Sequence, residues 1–249
     1  MSHHGRSFGV LQVGLAAAIL VVLLVIGGLS AAQAQTGPQG IPQAVGTNFD
    51  SYFTSDHAGW KPVTGYWTVN ANGYYRSPGK KNSTASVKHI DTYSDFNYEV
   101  RMKRKGAYCL GCGNGIVFRG DPSSLYGNWW RPSYVFEYFT DGTYDVIEIN
   151  TISGAVPLKS RTASSWVNDG EAWNNLIVQV SGTSLEFYIN AHLLWSTTNS
   201  YLSSGKVGVQ FSRGDGPGIL LIDQAHMDVV TSARILDMFA DVFPAIGGT

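Results

Sequence analysis

The chain has 249 residues, 44% hydrophobic and only 14% charged, and 7 Trp, 13 Tyr and 11 Phe raise the aromatic share to 12%. So few charges among so many aromatic residues exclude a disordered chain, a coiled coil and a helix-rich solenoid. Lys+Arg at 17 against Asp+Glu at 18 gives a net charge of −1, leaving no cationic excess for the phosphates of a duplex; no nucleic-acid partner is expected.

In chain order, residues 1–34 read as a signal peptide: Arg6 supplies positive charge, Val13 to Leu29 is apolar, and Ala32-Gln33-Ala34 is a small-x-small cleavage site. The alternative is an uncleaved anchor, because the apolar run from Phe8 to Leu29 is long enough to span a bilayer. A membrane partner is expected only in that case; otherwise the protein is secreted or extracytoplasmic. Residues 35–47, rich in Gly, Pro and Gln, read as a linker, and the folded domain is expected over 48–230.

Within that domain 29 Gly and 9 Pro in the whole chain suit many short strands joined by turns. Phe96, Tyr98, Val100 and Met102 alternate with Asn97, Glu99, Arg101 and Lys103, so one strand face is apolar and the other solvated. Cys109 and Cys112 read as a local disulfide in an exported chain, against the alternatives of free thiols or metal and redox chemistry. Tyr134 to Ile149 reads as a hairpin turning at Asp141-Gly142. Counting outward from a two-residue turn pairs Tyr138 with Asp145, Phe136 with Ile147 and Tyr134 with Ile149. That register puts Glu137 and Glu148 on one face. Further strands are expected around Leu176 to Val180, Leu185 to Ile189, Val207 to Phe211 and Ile219 to Met227. Residues 231–249 read as a short amphipathic helix, with Ile235, Leu236, Phe239, Val242 and Phe243 on its apolar stripe; it packs on its own domain or faces a protein partner.

The landmarks Gly65-Tyr-Trp67, Phe96-Asn-Tyr-Glu-Val100, Gly115-Ile-Val-Phe-Arg119, Tyr134-Val-Phe-Glu-Tyr138, Trp173-Asn174, Leu185-Glu-Phe-Tyr-Ile-Asn190 and Gly205-Lys-Val-Gly-Val209 resemble concanavalin A-like jelly rolls. The resemblance is to secreted laminin-G-like, DUF1080 and family-66 carbohydrate-binding modules. It implies an all-β, two-sheet antiparallel sandwich and a role on glycans. Asn190-Ala191-His192 departs from the Asn-Gly usual at that turn. No organic cofactor is expected, but such modules often hold a structural Ca2+, for which Asp50 and Asp223 are the candidates; plain turn aspartates are the alternative.

Three functions remain open. Trp129 and Trp130, with Tyr126, Arg131, Arg119 and Asp121, compose a loop suited to sugar: aromatic faces for C–H patches and polar groups for hydroxyls. This leading reading is a glycan- or polysaccharide-binding module without turnover. Glu137 and Glu148 give the glycoside-processing alternative, since paired carboxyls flank a glycosidic bond in hydrolases. The third is a structural or adhesive protein assembling through the sandwich and its C-terminal helix. His57, His89, His192 and His226 are scattered and support no triad.

Overall fold

Alternating apolar residues cannot be buried by a single sheet, and here two sheets close on each other. The computed structural model describes residues 46–106, 109 and 111–230. The signal or anchor segment and the proposed C-terminal helix therefore lie outside the described residues. The back sheet orders β15 (His192–Thr198), β14 (Ser184–Ile189), β13 (Asn174–Ser181), β6 (Phe96–Gly106), β17 (Gly218–Val229), β4 (Tyr75–Ser77) and β3 (Thr68–Val69), while β1 (Phe49–Ser51) also pairs with β17. The front sheet orders β12 (Gly154–Ala163), β11 (Thr143–Asn150), β10 (Ser133–Tyr138), β7 (Asn114–Gly120), β16 (Gly205–Arg213), β5 (Ser83–Tyr93) and β2 (Trp60–Thr64). A separate ribbon pairs β8 (Leu125–Tyr126) with β9 (Trp129–Trp130). Every ladder is antiparallel, as the jelly-roll reading required.

The core lies between the sheets and is aromatic: Phe96, Tyr98, Phe118, Phe136, Phe187 and Phe211 are all fully buried in it. Val100, Met102, Leu176, Val178, Leu185, Ile189, Val207 and Val209 join them, so the alternating strands face inward as their periodicity predicts. Offset and edge-on ring pairs such as Phe118–Tyr134 at 5.2 Å and Phe136–Phe187 at 5.2 Å add to area burial. The Cys109–Cys112 disulfide is formed, with Cα atoms 5.3 Å apart.

The central hairpin corrects the expected register. Tyr138 pairs with Tyr144, Phe136 with Val146, and Glu137 with Asp145. The cause is one more loop residue than a two-residue turn has. The Phe139 N–H donates to the Thr143 carbonyl at 2.8 Å, and the Gly142 N–H donates to the Phe139 carbonyl at 3.2 Å. Gly142 sits at φ 79°, so the loop is a turn closed by a glycine bulge over Thr140-Asp141-Gly142. A one-residue slip moves every β11 side chain to the other face. Tyr144 and Val146 therefore enter the core, while Ile147 and Ile149 move to the outer face of the front sheet.

The expected departure at Asn190-Ala191 is resolved without glycine. Asn190 (φ 51°) and Ala191 (φ 66°) both take left-handed conformations between the paired residues Ile189 and His192, making a two-residue primed turn. The Asn190 side chain offsets part of that strain: its Oδ1 accepts from the Asn175 N–H and its Nδ2 donates to the Trp166 carbonyl.

Candidate functional site: the outer face of the front sheet

The outer face of the front sheet carries a second, smaller apolar cluster: Val117, Trp130, Val135 and Ile149, with Val63, Trp129 and Ile147 packed against it. The β8–β9 ribbon lies across this face. Adjacent residues of a strand point to opposite sides, so Trp129 and Trp130 cannot both face solvent. Trp130 is fully buried, its Nε1 donating to Ser86 Oγ at 2.9 Å. Two glycines make room for the indole. A Cβ on Gly208 would lie 2.4 Å from the Trp130 ring, and one on Gly120 2.8 Å from it. Trp130 is thus a cap over the sheet and not a ligand contact.

Trp129 stays partly exposed, with Nε1 donating to Thr84 Oγ1 at 3.1 Å. Asn128 Nδ2 donates to Ser83 Oγ, and Tyr126, 49% exposed, lies at the other side of the ribbon. Between them runs a groove of about 210 Å³ lined by Asn82, Ser83, Thr84, Tyr126, Asn128, Trp129 and Ala155, with Gly127 at its turn. Arg131 stands outside this lining. Its guanidinium is 5.8 Å from the Tyr126 ring and donates to the Thr151 carbonyl.

Two more of the expected contacts are elsewhere. Arg119 is 1% exposed and is a structural staple: Nε and Nη2 donate to the Ser94 carbonyl at 3.0 and 2.7 Å, Nη1 to the Leu202 carbonyl at 2.9 Å, and Nη2 to Asp95 Oδ1 at 3.1 Å. Its four bonds tie the β5–β6 turn to the loop before β16. Asp121 is exposed, and its Oδ1 accepts from the Ser123 N–H at 2.9 Å and the Ser123 hydroxyl at 2.6 Å. Of the six expected contacts, then, only Tyr126 and Trp129 share the groove.

The Glu137–Glu148 pair is not formed. The corrected register puts the two on opposite faces of the sheet. Glu148 is a bracket on the core side, accepting from Asn199 Nδ2 at 2.9 Å and Asn150 Nδ2 at 3.1 Å. The carboxyl that does face Glu137 is its cross-strand partner Asp145. Glu137 is 4% exposed, and Gln210 Nε2 donates to its Oε2 at 3.2 Å. Gly113 and Gly115 crowd it so closely that a Cβ on Gly113 would stand 2.0 Å from Oε2. Burial, then the Asp145 charge, pushes the Glu137 carboxyl up to about 8. Burial likewise raises Asp145 to about 6, against the attraction of Arg161. The guanidinium that could neutralise them is committed elsewhere: Arg161 Nη2 lies 2.8 Å from Asp141 Oδ2 and Nε donates to Thr143 Oγ1 at 2.7 Å. Burial and the proximity of the two carboxyls raise both, so the pair as a unit holds on to a proton more readily than exposed carboxylates do. The single-residue slip at the turn hid this pair from the sequence.

The residues suggested for Ca2+ do not fit one. Asp50 Oδ1 bonds His226 Nδ1 at 2.6 Å, and Asp223 Oδ2 pairs with Arg101. Each aspartate already has a side-chain partner on the oxygen a cation would need, and at Asp223 that partner is the cationic Arg101. No group of three acidic, His or Cys residues suited to a metal exists among the described residues. The histidines remain apart: His89 bonds Tyr93, His57 stacks on Tyr75 and His192 on Trp166.

Among solved structures, the fold is similar to carbohydrate-binding module CBM66 from Bacillus subtilis, with a TM-score of 0.55 and 16% identity over 68% of this chain and 95% of that one. It is also similar to the Bacillus licheniformis β-glucanase, at TM-score 0.58 and 14% identity over 74% of this chain and 99% of that one. The Emp47p carbohydrate recognition domain matches at TM-score 0.57 and 12% identity, covering 72% of this chain and 94% of that one. At these identities the likeness is one of fold, and it establishes the concanavalin A-like sandwich. A search of curated proteins returns no match. The model of the 3-keto-alpha-glucoside-1,2-lyase-like domain matches residues 48–218, the sandwich from before β1 to the start of β17, and the chain belongs to that family.

Proposed function

We propose that this domain binds a saccharide outside the cytoplasm, in the Tyr126–Trp129 groove on the outer face of the front sheet. The observation that carries the reading is the groove itself. Two aromatic side chains stand on a ribbon whose Asn128 and Trp129 are hydrogen-bonded to β5, with Asn82 and Ser83 beside them. Pre-set rings accept the C–H patches of a pyranose without paying to order a loop, and the amide and hydroxyl groups take its hydroxyls. Saccharide-directed neighbours on the same fold, named as a binding module, a glucanase and a recognition domain, support it. The reading of residues 1–34 as a signal peptide or an anchor, either of which leaves the domain outside the cytoplasm, and the disulfide support the compartment.

The test is a glycan array with the exported chain, followed by titration of Trp129→Ala and Tyr126→Ala against the best ligand. Each substitution is expected to weaken binding about tenfold, with the melting temperature nearly unchanged for the exposed Tyr126 and lowered only in part for Trp129, which packs on the outer cluster. Absence of any glycan ligand, or a Trp129→Ala variant that binds like wild type, contradicts the proposal.

A second reading rests on the Glu137–Asp145 pair. A carboxyl that keeps its proton near neutral pH can serve as a general acid in glycosidic cleavage, and the family is described as lyase-like. Incubating the chain with glycans found on the array, with release of reducing sugar or unsaturated product as readout, separates binding from turnover. Turnover abolished by Glu137→Gln supports the enzyme; bound but unaltered glycan removes it.

A further inference from the structure

On the same face, beyond Trp130, lies a larger cleft of about 410 Å³ whose lining includes Lys88, Lys206, Thr92, Ser123 and Ser204. Lys88 and Lys206 line it, and a third lysine, Lys61, stands beside Lys88 on the neighbouring strand. Lys61 stands directly opposite Lys88 across the β2–β5 ladder, and Lys206 lies close enough to Lys88 to feel its charge. None of the three is ion-paired among the described residues. Like charges placed opposite each other in a sheet cost stability, so the core gives no reason for the arrangement. The acidic group in the lining, Asp121, is turned onto Ser123 by two hydrogen bonds. Lys206 donates to the Ile90 carbonyl, which fixes its ammonium at the cleft. Asp91 attracts it.

Resting on the groove reading above, we infer that this lysine cleft is an acid-group subsite of the same binding face, and that the ligand is an acidic glycan bearing carboxylate or sulfate groups. Thr84, at the groove, and Lys88, at the cleft, are four residues apart on β5, about 13 Å at 3.3 Å per residue. A short oligosaccharide spans that distance along the ribbon. One ring stacks at Trp129, and the anion of a later unit is held by ammonium groups, with the hydroxyl of Thr92 as a further donor.

The experiment compares binding of the exported chain to polygalacturonate, dextran sulfate and neutral dextran at low and high salt. Expected is at least tenfold tighter binding to one or both acidic polymers than to dextran, weakening with salt. Lys88→Gln is expected to lose about tenfold on the acidic ligand and nothing on dextran. Lys88 is only partly buried, so this variant tests the cleft without disturbing the core. Carboxylate and sulfate are distinguished by which polymer shows the lysine dependence. Lys103→Gln, on the back sheet, is the control and is expected to change nothing. Equal affinity for acidic and neutral polymers, with Trp129→Ala still weakening both, overturns the subsite and leaves the groove standing. Acid-selective binding lost in Lys103→Gln but kept in Lys88→Gln also overturns it, by moving the cation elsewhere. Failure of all polymers, together with a blank array, removes the groove as well.

Discussion

Glu137 carries the most testable single-residue physics in the protein. Its folded-state pKa lies above that of an exposed glutamate, so wild type is most stable, in this respect, at acid pH. Stability is lost as pH rises from about 4.5, where an unfolded Glu ionises, through the folded value of about 8. Glu137→Gln keeps the shape and removes the charge. The melting temperature of Glu137→Gln relative to wild type is therefore expected to be near zero at pH 4.5 and to grow by several degrees by pH 8; a difference that does not vary with pH would falsify the raised pKa. Glycan binding, as opposed to any turnover, is expected to survive the substitution. The adjacent tryptophans separate in the same way. Trp130→Ala removes a fully buried indole from the outer cluster and is expected to cost roughly 3–5 kcal/mol, whereas Trp129→Ala, at a ring only partly buried against that cluster, is expected to cost clearly less stability and to weaken binding. Paired melts and titrations of the two variants decide it. Aromatic composition singled out this loop, but which ring turns inward depended on Gly208 and Gly120, which have no side chain to advertise the space they leave. Arg119 was illegible for the same reason. Its partners are the carbonyls of Ser94 and Leu202, which no side-chain pattern advertises.

At the scale of elements, strands with one wet face were legible and strands buried on both faces were not. β6 places Val100 inside and Arg101 outside, as its alternation says. β11 has apolar residues on both parities, Tyr144 and Val146 on one and Ile147 and Ile149 on the other, so periodicity could not fix its register. Only loop length could, and Asp-Gly occurs both in two-residue turns and before bulges. The consequence was functional as well as structural, because the slip exchanged Glu148 for Asp145 as the neighbour of Glu137. The β14–β15 turn offers an element-scale prediction. Ala191 at φ 66° pays the steric cost of a left-handed residue, about 1–2 kcal/mol, which glycine relieves while losing about 0.4–1 kcal/mol to its freer unfolded chain. Ala191→Gly is expected to gain about 0.5–1 kcal/mol, seen as a rise of a few degrees in melting temperature. A lower melting temperature would show that the Ala191 methyl makes packing worth more than the strain.

Across the whole molecule, the sandwich owes its stability to the aromatic core between the sheets, and the disulfide is peripheral to it. Cys109 and Cys112 close a loop of only three residues' separation, next to Gly214 and outside the main core cluster. In the chain-entropy picture so short a loop contributes about 2 kcal/mol, small against the burial of a two-sheet domain. The bond does have a particular neighbourhood: Gly113, directly after Cys112, presses on the Glu137 carboxyl. Cys109→Ser/Cys112→Ser is therefore expected to remain folded, with the far-ultraviolet spectrum of the wild type and a melting temperature lower by roughly 4–8 °C, from about 2 kcal/mol at the usual conversion for a domain of this size. The same double variant should loosen the cover over Glu137, letting its pKa fall toward that of an exposed glutamate and flattening the loss of stability between pH 6 and about 8. Thermal melts of both proteins across that range measure the two effects together. Loss of the fold in the double variant would show that the loop is integral to the sandwich. An unchanged pH profile would show that Gly113 is held over Glu137 by the β7 ladder and the Ser212–Gly113 hydrogen bond without help from the sulfurs.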